Sequence, residues 1–160
     1  MSDPLILVVI GIVVLLALSA FFSGSETALT GASRPRMHLL ESEGNRRAGT
    51  VNLLHAQQER LIGGILIGNN IVNILASALA TSMMITLFGD AGVAYATIAM
   101  TTLVVIFSEV LPKTYAIRHA DDVAIAVAPP IRFIVIALTP LSRAIEAIVG
   151  LLLSLLAKKL

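Results

Sequence analysis

The chain has 160 residues, 57% of them hydrophobic and 13% charged, with a net charge of +1 and no cysteine. Its mean hydropathy is +0.93, whereas a soluble domain carries about a quarter charged residues; this is the composition of an integral membrane protein. The near-neutral balance, with no basic stripe of interleaved aromatics, argues against a nucleic-acid partner, and the absent thiols exclude disulfides, thiolate metal sites and cysteine nucleophiles.

The first apolar run begins at Leu5. Met1 to Pro4 lacks the basic region of a cleaved leader and the run is too long for one, so it is a retained span. Runs with few or no charges fall at Leu5–Phe22, Leu61–Gly89 and Ala91–Ser108, each near or above the roughly 20 residues that cross a bilayer. Helical pattern extends them to spans of about 5–32, 61–88 and 91–117, predicting three long, tilted transmembrane helices. Phe88-Gly89-Asp90-Ala91-Gly92 predicts a tight turn, making the second and third an antiparallel hairpin.

The connection 33–60 carries Arg34, Arg36, Arg46, Arg47 and Arg60, while the opposite side offers Asp3 and Asp90 and no Lys or Arg. By the positive-inside rule the connection is cytoplasmic and the N-terminus outside. It reads as short amphipathic helices broken at Gly44-Asn45. The tail predicts two juxtamembrane helices, 121–138 and 140–158, separated near Thr139-Pro140 with Thr139 as N-cap and Pro140 at N1. Pro129-Pro130 interrupts the first, and with Arg132 and Arg143 favours a belt along the cytoplasmic interface, its C-terminus cytoplasmic, over a fourth span. The fold class is therefore an all-α integral membrane domain, a single unit over 1–160.

Each long helix carries one polar cluster. Ser23, Asn70 and Glu109 lie 11, 10 and 9 residues inward of Arg34, Arg60 and Arg118, hence about 14–16 Å from the cytoplasmic boundary. On the first helix, Ser23-Gly24-Ser25-Glu26-Thr27 places Ser19, Ser23, Glu26 and Thr27 on one face. The bland reading is hydroxyls bonded to their own helix. On the second, Asn69, Asn70 and Asn73 with Ser77 exceed what interhelical bonding needs. On the third, Glu109 costs about 3 kcal/mol or more in lipid, and Pro112 cannot donate to the Ser108 carbonyl. Its bland reading is a kink with Glu109 paired to Lys113. Hydroxyl, amide, backbone carbonyl and one carboxylate make an all-oxygen set, with no cysteine or histidine in the spans, suiting Mg²⁺, Ca²⁺ or Na⁺ over zinc or copper.

Phe22-Ser23-Gly24-Ser25-Glu26-Thr27, Gly68-Asn69-Asn70-Ile71-Val72-Asn73 and Ser108-Glu109-Val110-Leu111-Pro112-Lys113 resemble, in order and over essentially the whole chain, the transmembrane domain of the CorC / cyclin M family of magnesium transporters. The resemblance implies a homodimer in the inner (plasma) membrane, with Mg²⁺ held among the three motifs. It implies Ser23, Asn69, Asn73 and Glu109 as ligands, with Ser25 and Asn70 in the bacterial form of the pattern; the Ser108 carbonyl, left without a donor by Pro112, is expected to join them. It also implies magnesium export coupled to sodium as second ion, by alternating access. Family members continue into nucleotide-binding regulatory modules, so ending at Leu160 points to a membrane domain cut from a longer protein. The alternative is a membrane anchor or cation sensor for cytosolic domains. His38, His55 and His119 lie outside the spans with no serine–histidine or metalloprotease spacing, so no enzyme is expected.

Overall fold

The computed structural model describes residues 3–159, and among them there are helices and no strands. In chain order these are α1 (Asp3–Gly31), α2 (Arg34–Ser42), α3 (Arg46–Ala56), α4 (Gln58–Phe88), a 3-10 turn (Gly89–Ala91), α5 (Gly92–Leu103), a π-helical stretch (Val104–Val110), α6 (Leu111–Arg118), α7 (Ala120–Ala137) and α8 (Thr139–Lys159). Three continuous helical runs are long and apolar enough to cross a membrane: Asp3–Gly31, Gln58–Arg118 and Thr139–Lys159.

The middle run contains two passes. It reverses at Gly89, whose φ of 68° suits glycine. A Cβ at Gly92 would strike the Met84 carbonyl and the Ile85 amide, so the two strands of this helical hairpin come together only because glycine stands there. The expected turn at Phe88–Gly92 is thus observed.

α1 is the hub. It packs against α4, the π stretch, α6 and α7, while α4 packs along α5 and α3 along α7. Apolar packing divides into two clusters at different depths. The inner one joins Phe22, Leu29, Met37, Val51, Leu61, Ile65, Ala116 and Ile131; the outer one joins Ile12, Ala76, Ala80 and Met100. Ser19, Ser23, Asn69 and Asn73 on α1 and α4 stand among these clusters, Phe22 and Val72 of the inner one lying in the same two segments. Side chains such as Leu7, Ile74 and Ile98, each 68–69% exposed, face outward from the bundle, as lipid contact requires.

The connection forms two helices as expected, broken at Glu43–Asn45. Ser33 caps α2 with its hydroxyl accepting from the Arg36 amide, and Asn45 caps α3 through the Ala48 amide. The α1–α2 corner is fastened to α7. Asp121 accepts from the Ser33 amide at 2.8 Å and from the Arg36 guanidinium at 3.0 Å. His55 Nε2 meets the Leu29 carbonyl and fastens α3 to α1.

Two details of the tail differ from the sequence reading. α7 runs unbroken through Pro129 and Pro130; its buried face of Ala124, Ala128, Ile131 and Val135 recurs at helical spacing, and that packing outweighs two missing backbone donors. Thr139 does not cap. Its hydroxyl donates to the Val135 carbonyl at 2.8 Å, and the break falls at Leu138. α8, expected as a belt helix, has the length and composition of a membrane-crossing one, with Ser142 its one buried residue.

Candidate cation site

The site is built where α1 meets the π stretch and α4. On α1, Ser19 and Ser23 are one turn apart and both fully buried. Ser19 Oγ donates to Asn69 Oδ1 at 2.7 Å, and Ser23 Oγ donates to Glu109 Oε2 at 3.4 Å. Asn73 Nδ2, one turn beyond Asn69, donates to the same Asn69 oxygen at 3.4 Å. Three passes therefore meet through side-chain oxygens and amides. α1 runs close to the third pass at Gly24, where a Cβ would make ordinary contact at 3.5 Å with both Pro112 Cβ and the Pro112 carbonyl.

The π stretch is the local reason Glu109 faces α1. The Leu111 amide donates to the Ile106 carbonyl, five residues back, and so does not serve Phe107 four residues back. Pro112 has no N–H for Ser108, four residues back, or for Phe107, five back. Two successive carbonyls beside the carboxylate thus lose a regular helical donor. The sequence pointed to the Ser108 carbonyl alone; the wider register adds Phe107. Ser108 itself is buried, with its hydroxyl donating to the Leu16 carbonyl at 3.1 Å, which pins the widened turn to α1. π turns recur at functional sites.

Not every expected ligand joins this group. Asn70 is exposed and takes no part in the network among the described residues, because it lies about 100° around the helix from Asn69. The depth ruler put Asn70 at the level of the network, and the helix turns it to a different face from Asn69. Ser25 is buried with its hydroxyl unpartnered, but two residues from Ser23 it is turned about 200° away. Glu26 is half-buried. Ser19, not singled out as a ligand, is the residue that reaches α4; its spacing of four from Ser23 was the available signal.

Glu109 Oε2 is shared. Lys113 Nζ lies 3.0 Å from it, with the Lys113 and Glu109 side chains 44% and 33% exposed. The pairing that served as the bland reading of this motif is therefore present together with the contact to Ser23. A lysine on this oxygen supplies the positive charge that a bound cation would otherwise supply.

The donor set fits a hard cation. Among the described residues no three His, Cys, Asp or Glu cluster together; the network offers one carboxylate and neutral oxygens, ligands of the kind that hard cations take. Asn73 Oδ1 is buried with no hydrogen-bond partner, an acceptor with unused capacity next to the Asn69 amide.

A sequence model described as the cyclin M transmembrane N-terminal domain matches residues 10–159. The chain is 50% identical over 107 residues to the UPF0053 inner membrane protein YfjD of Escherichia coli, covering 67% of this chain and 25% of that protein. It is 45% identical over 123 residues to a UPF0053 protein of Haemophilus influenzae, covering 77% and 29%. To a chloroplastic DUF21 domain-containing protein of Arabidopsis thaliana it is 37% identical over 132 residues, covering 82% and 20%. The chain spans between a fifth and a third of the length of these relatives.

Proposed function

The chain belongs to the cyclin M transmembrane N-terminal domain family, and from that premise we propose that it is the membrane domain of a magnesium transporter. It binds Mg²⁺ through Ser23, Asn69, Asn73, Glu109 and the carbonyls of the π stretch, and exports it by alternating access, with Na⁺ as coupling ion. The supporting observation is the meeting of Ser19, Ser23, Asn69, Asn73 and Glu109 from three passes. Ionisable groups at such depth mark ion pathways, and unwound or widened helices supply carbonyl ligands in transporters. One carboxylate leaves a divalent ion incompletely neutralised, so affinity is modest and release remains feasible.

The protein works as a homodimer with its N-terminus outside, following the arginines of the 33–60 connection. Nucleotide-binding modules elsewhere in the longer protein regulate it. Glu109→Gln, titrated calorimetrically with Mg²⁺ in detergent, is expected to lose binding while folding is retained; wild-type affinity in that variant removes the carboxylate from the site. Magnesium-dye flux in proteoliposomes separates transport from the anchor-or-sensor alternative, which requires binding without flux.

A further inference from the structure

A groove of about 370 Å³ runs between α4 and α5 on the outer side of the site. Its polar lining is Asn73, Ser77 and Thr81 on α4, at intervals of four, facing Thr97 and Thr101 on α5, also four apart. Measured along the helices from the Gly89–Ala91 turn, Thr81 and Thr97 lie about 9–12 Å down, Ser77 and Thr101 about 15–18 Å, and Asn73 about 24 Å. The five groups make a ladder whose lowest rung belongs to the cation site.

The two outermost rungs, Thr81 and Thr97, present oxygen and not hydrogen. Thr81 Oγ1 donates to the Ser77 carbonyl at 2.8 Å and Thr97 Oγ1 to the Val93 carbonyl at 2.8 Å. With these two protons committed to their own helices, their lone pairs are what remain for anything in the groove, and the Ser77 and Thr101 hydroxyls can turn an oxygen towards it as well. At the bottom stands Asn73 Oδ1, buried and unpartnered, a condition that costs about 1–3 kcal/mol unless water or a cation satisfies it. Hydroxyls that bond only back to their own helix are common in lipid; an orphaned amide oxygen at the foot of two facing rows is not explained that way.

We propose that this groove is the outer half of the ion path, a wet channel through which a hard cation passes between Asn73 and the outer face. The inference rests on the transport reading of the Glu109 site. Its volume would admit about a dozen waters along the polar rows, with Ala96, Met100, Val104 and Val105 forming the rest of the lining. Mg²⁺ gives up its hydration shell reluctantly, so a wet approach lets it stay hydrated until the Asn69–Asn73 amides and Glu109 can replace water. Neutral lone pairs attract the cation without a carboxylate to trap it, as uncharged oxygens do in other pores.

The chain has no cysteine, so single cysteines report directly. Ser77→Cys, Thr81→Cys and Thr97→Cys are placed in proteoliposomes and treated from outside with a membrane-impermeant cationic methanethiosulfonate; Ile98→Cys, exposed on the outer face of α5, is the lipid-facing control. The groove cysteines are expected to react at least tenfold faster than the control. Equal inertness of all four overturns the proposal, as does protection of the groove positions that is lost when the protein is dispersed to monomer, which would make the groove an interface between copies. Ser77→Ala with Thr101→Val is expected to slow Mg²⁺ flux severalfold while the equilibrium Kd stays within twofold; unchanged flux also overturns it. Labelling needs no magnesium, so a wet groove in a protein without Mg²⁺ binding would retire the transport reading and leave the channel geometry standing.

Discussion

Replacing Lys113 by methionine should tighten Mg²⁺ binding. Lys113 Nζ and Glu109 Oε2 are 3.0 Å apart, and a cation reaching that oxygen must displace the ammonium. At this separation and an effective dielectric of 20, the bare attraction is about 5 kcal/mol. That figure is a ceiling, because the two side chains are 44% and 33% exposed and solvent screens them. Solvent-screened pairs at this helical spacing contribute about 0.3–0.5 kcal/mol. Removing the competitor while keeping a side chain of similar length therefore lowers the Kd about twofold. Calorimetric titration of wild type, Lys113→Met and Lys113→Arg in detergent measures it, and the gain should shrink as salt rises. Unchanged or weaker binding in Lys113→Met, with Lys113→Arg like wild type, would refute the idea that the lysine stands in for the ion.

Asn73→Ala should weaken Mg²⁺ binding several-fold and Asn70→Ala should leave it within twofold, since only the first faces Asn69; equal losses by titration count against the orientation described. A Cβ at Gly68 would lie 2.9 Å from the Phe22 ring tip, and Phe22 is 6% exposed, so Gly68→Ala should cost about 1–3 kcal/mol by overpacking. Gly24→Ala, with its nearest neighbour at 3.5 Å, should lower the melting temperature far less, and comparable losses in detergent thermal melts would contradict this packing. A cysteine at Lys158 should be labelled only from the side of the 33–60 connection if α8 lies along the membrane; labelling from the opposite side would make α8 a further pass.

What could be read from residues alone follows from how far each force reaches. Charge-free runs and arginine placement are summed over tens of residues, and they gave the hairpin, the two helices of the connection and three polar levels at one depth. Azimuth is a local matter. A ruler of 1.5 Å per residue could not choose between Asn69 and Asn70, which differ by one position and about 100°. The π register was equally out of reach: Pro112 announces a missing donor, but which carbonyls are released depends on where the widened turn settles, and the Ser108 hydroxyl on the Leu16 carbonyl, a contact across 92 residues, holds it there. The prolines of α7 misled for the opposite reason. Their local cost is real, and the buried face of Ala124, Ala128, Ile131 and Val135 overrides it.

The third pass is two stiff rods, α5 and α6, joined by a widened section at the depth of Glu109. A lever pivoting at its middle moves most at the tips and least at the fulcrum. Any swing of α6 against α5 would therefore carry Arg118 and the α7 junction through the largest arc and leave the carboxylate nearly still. An ion resting there could keep its seat while the doorway below it opens.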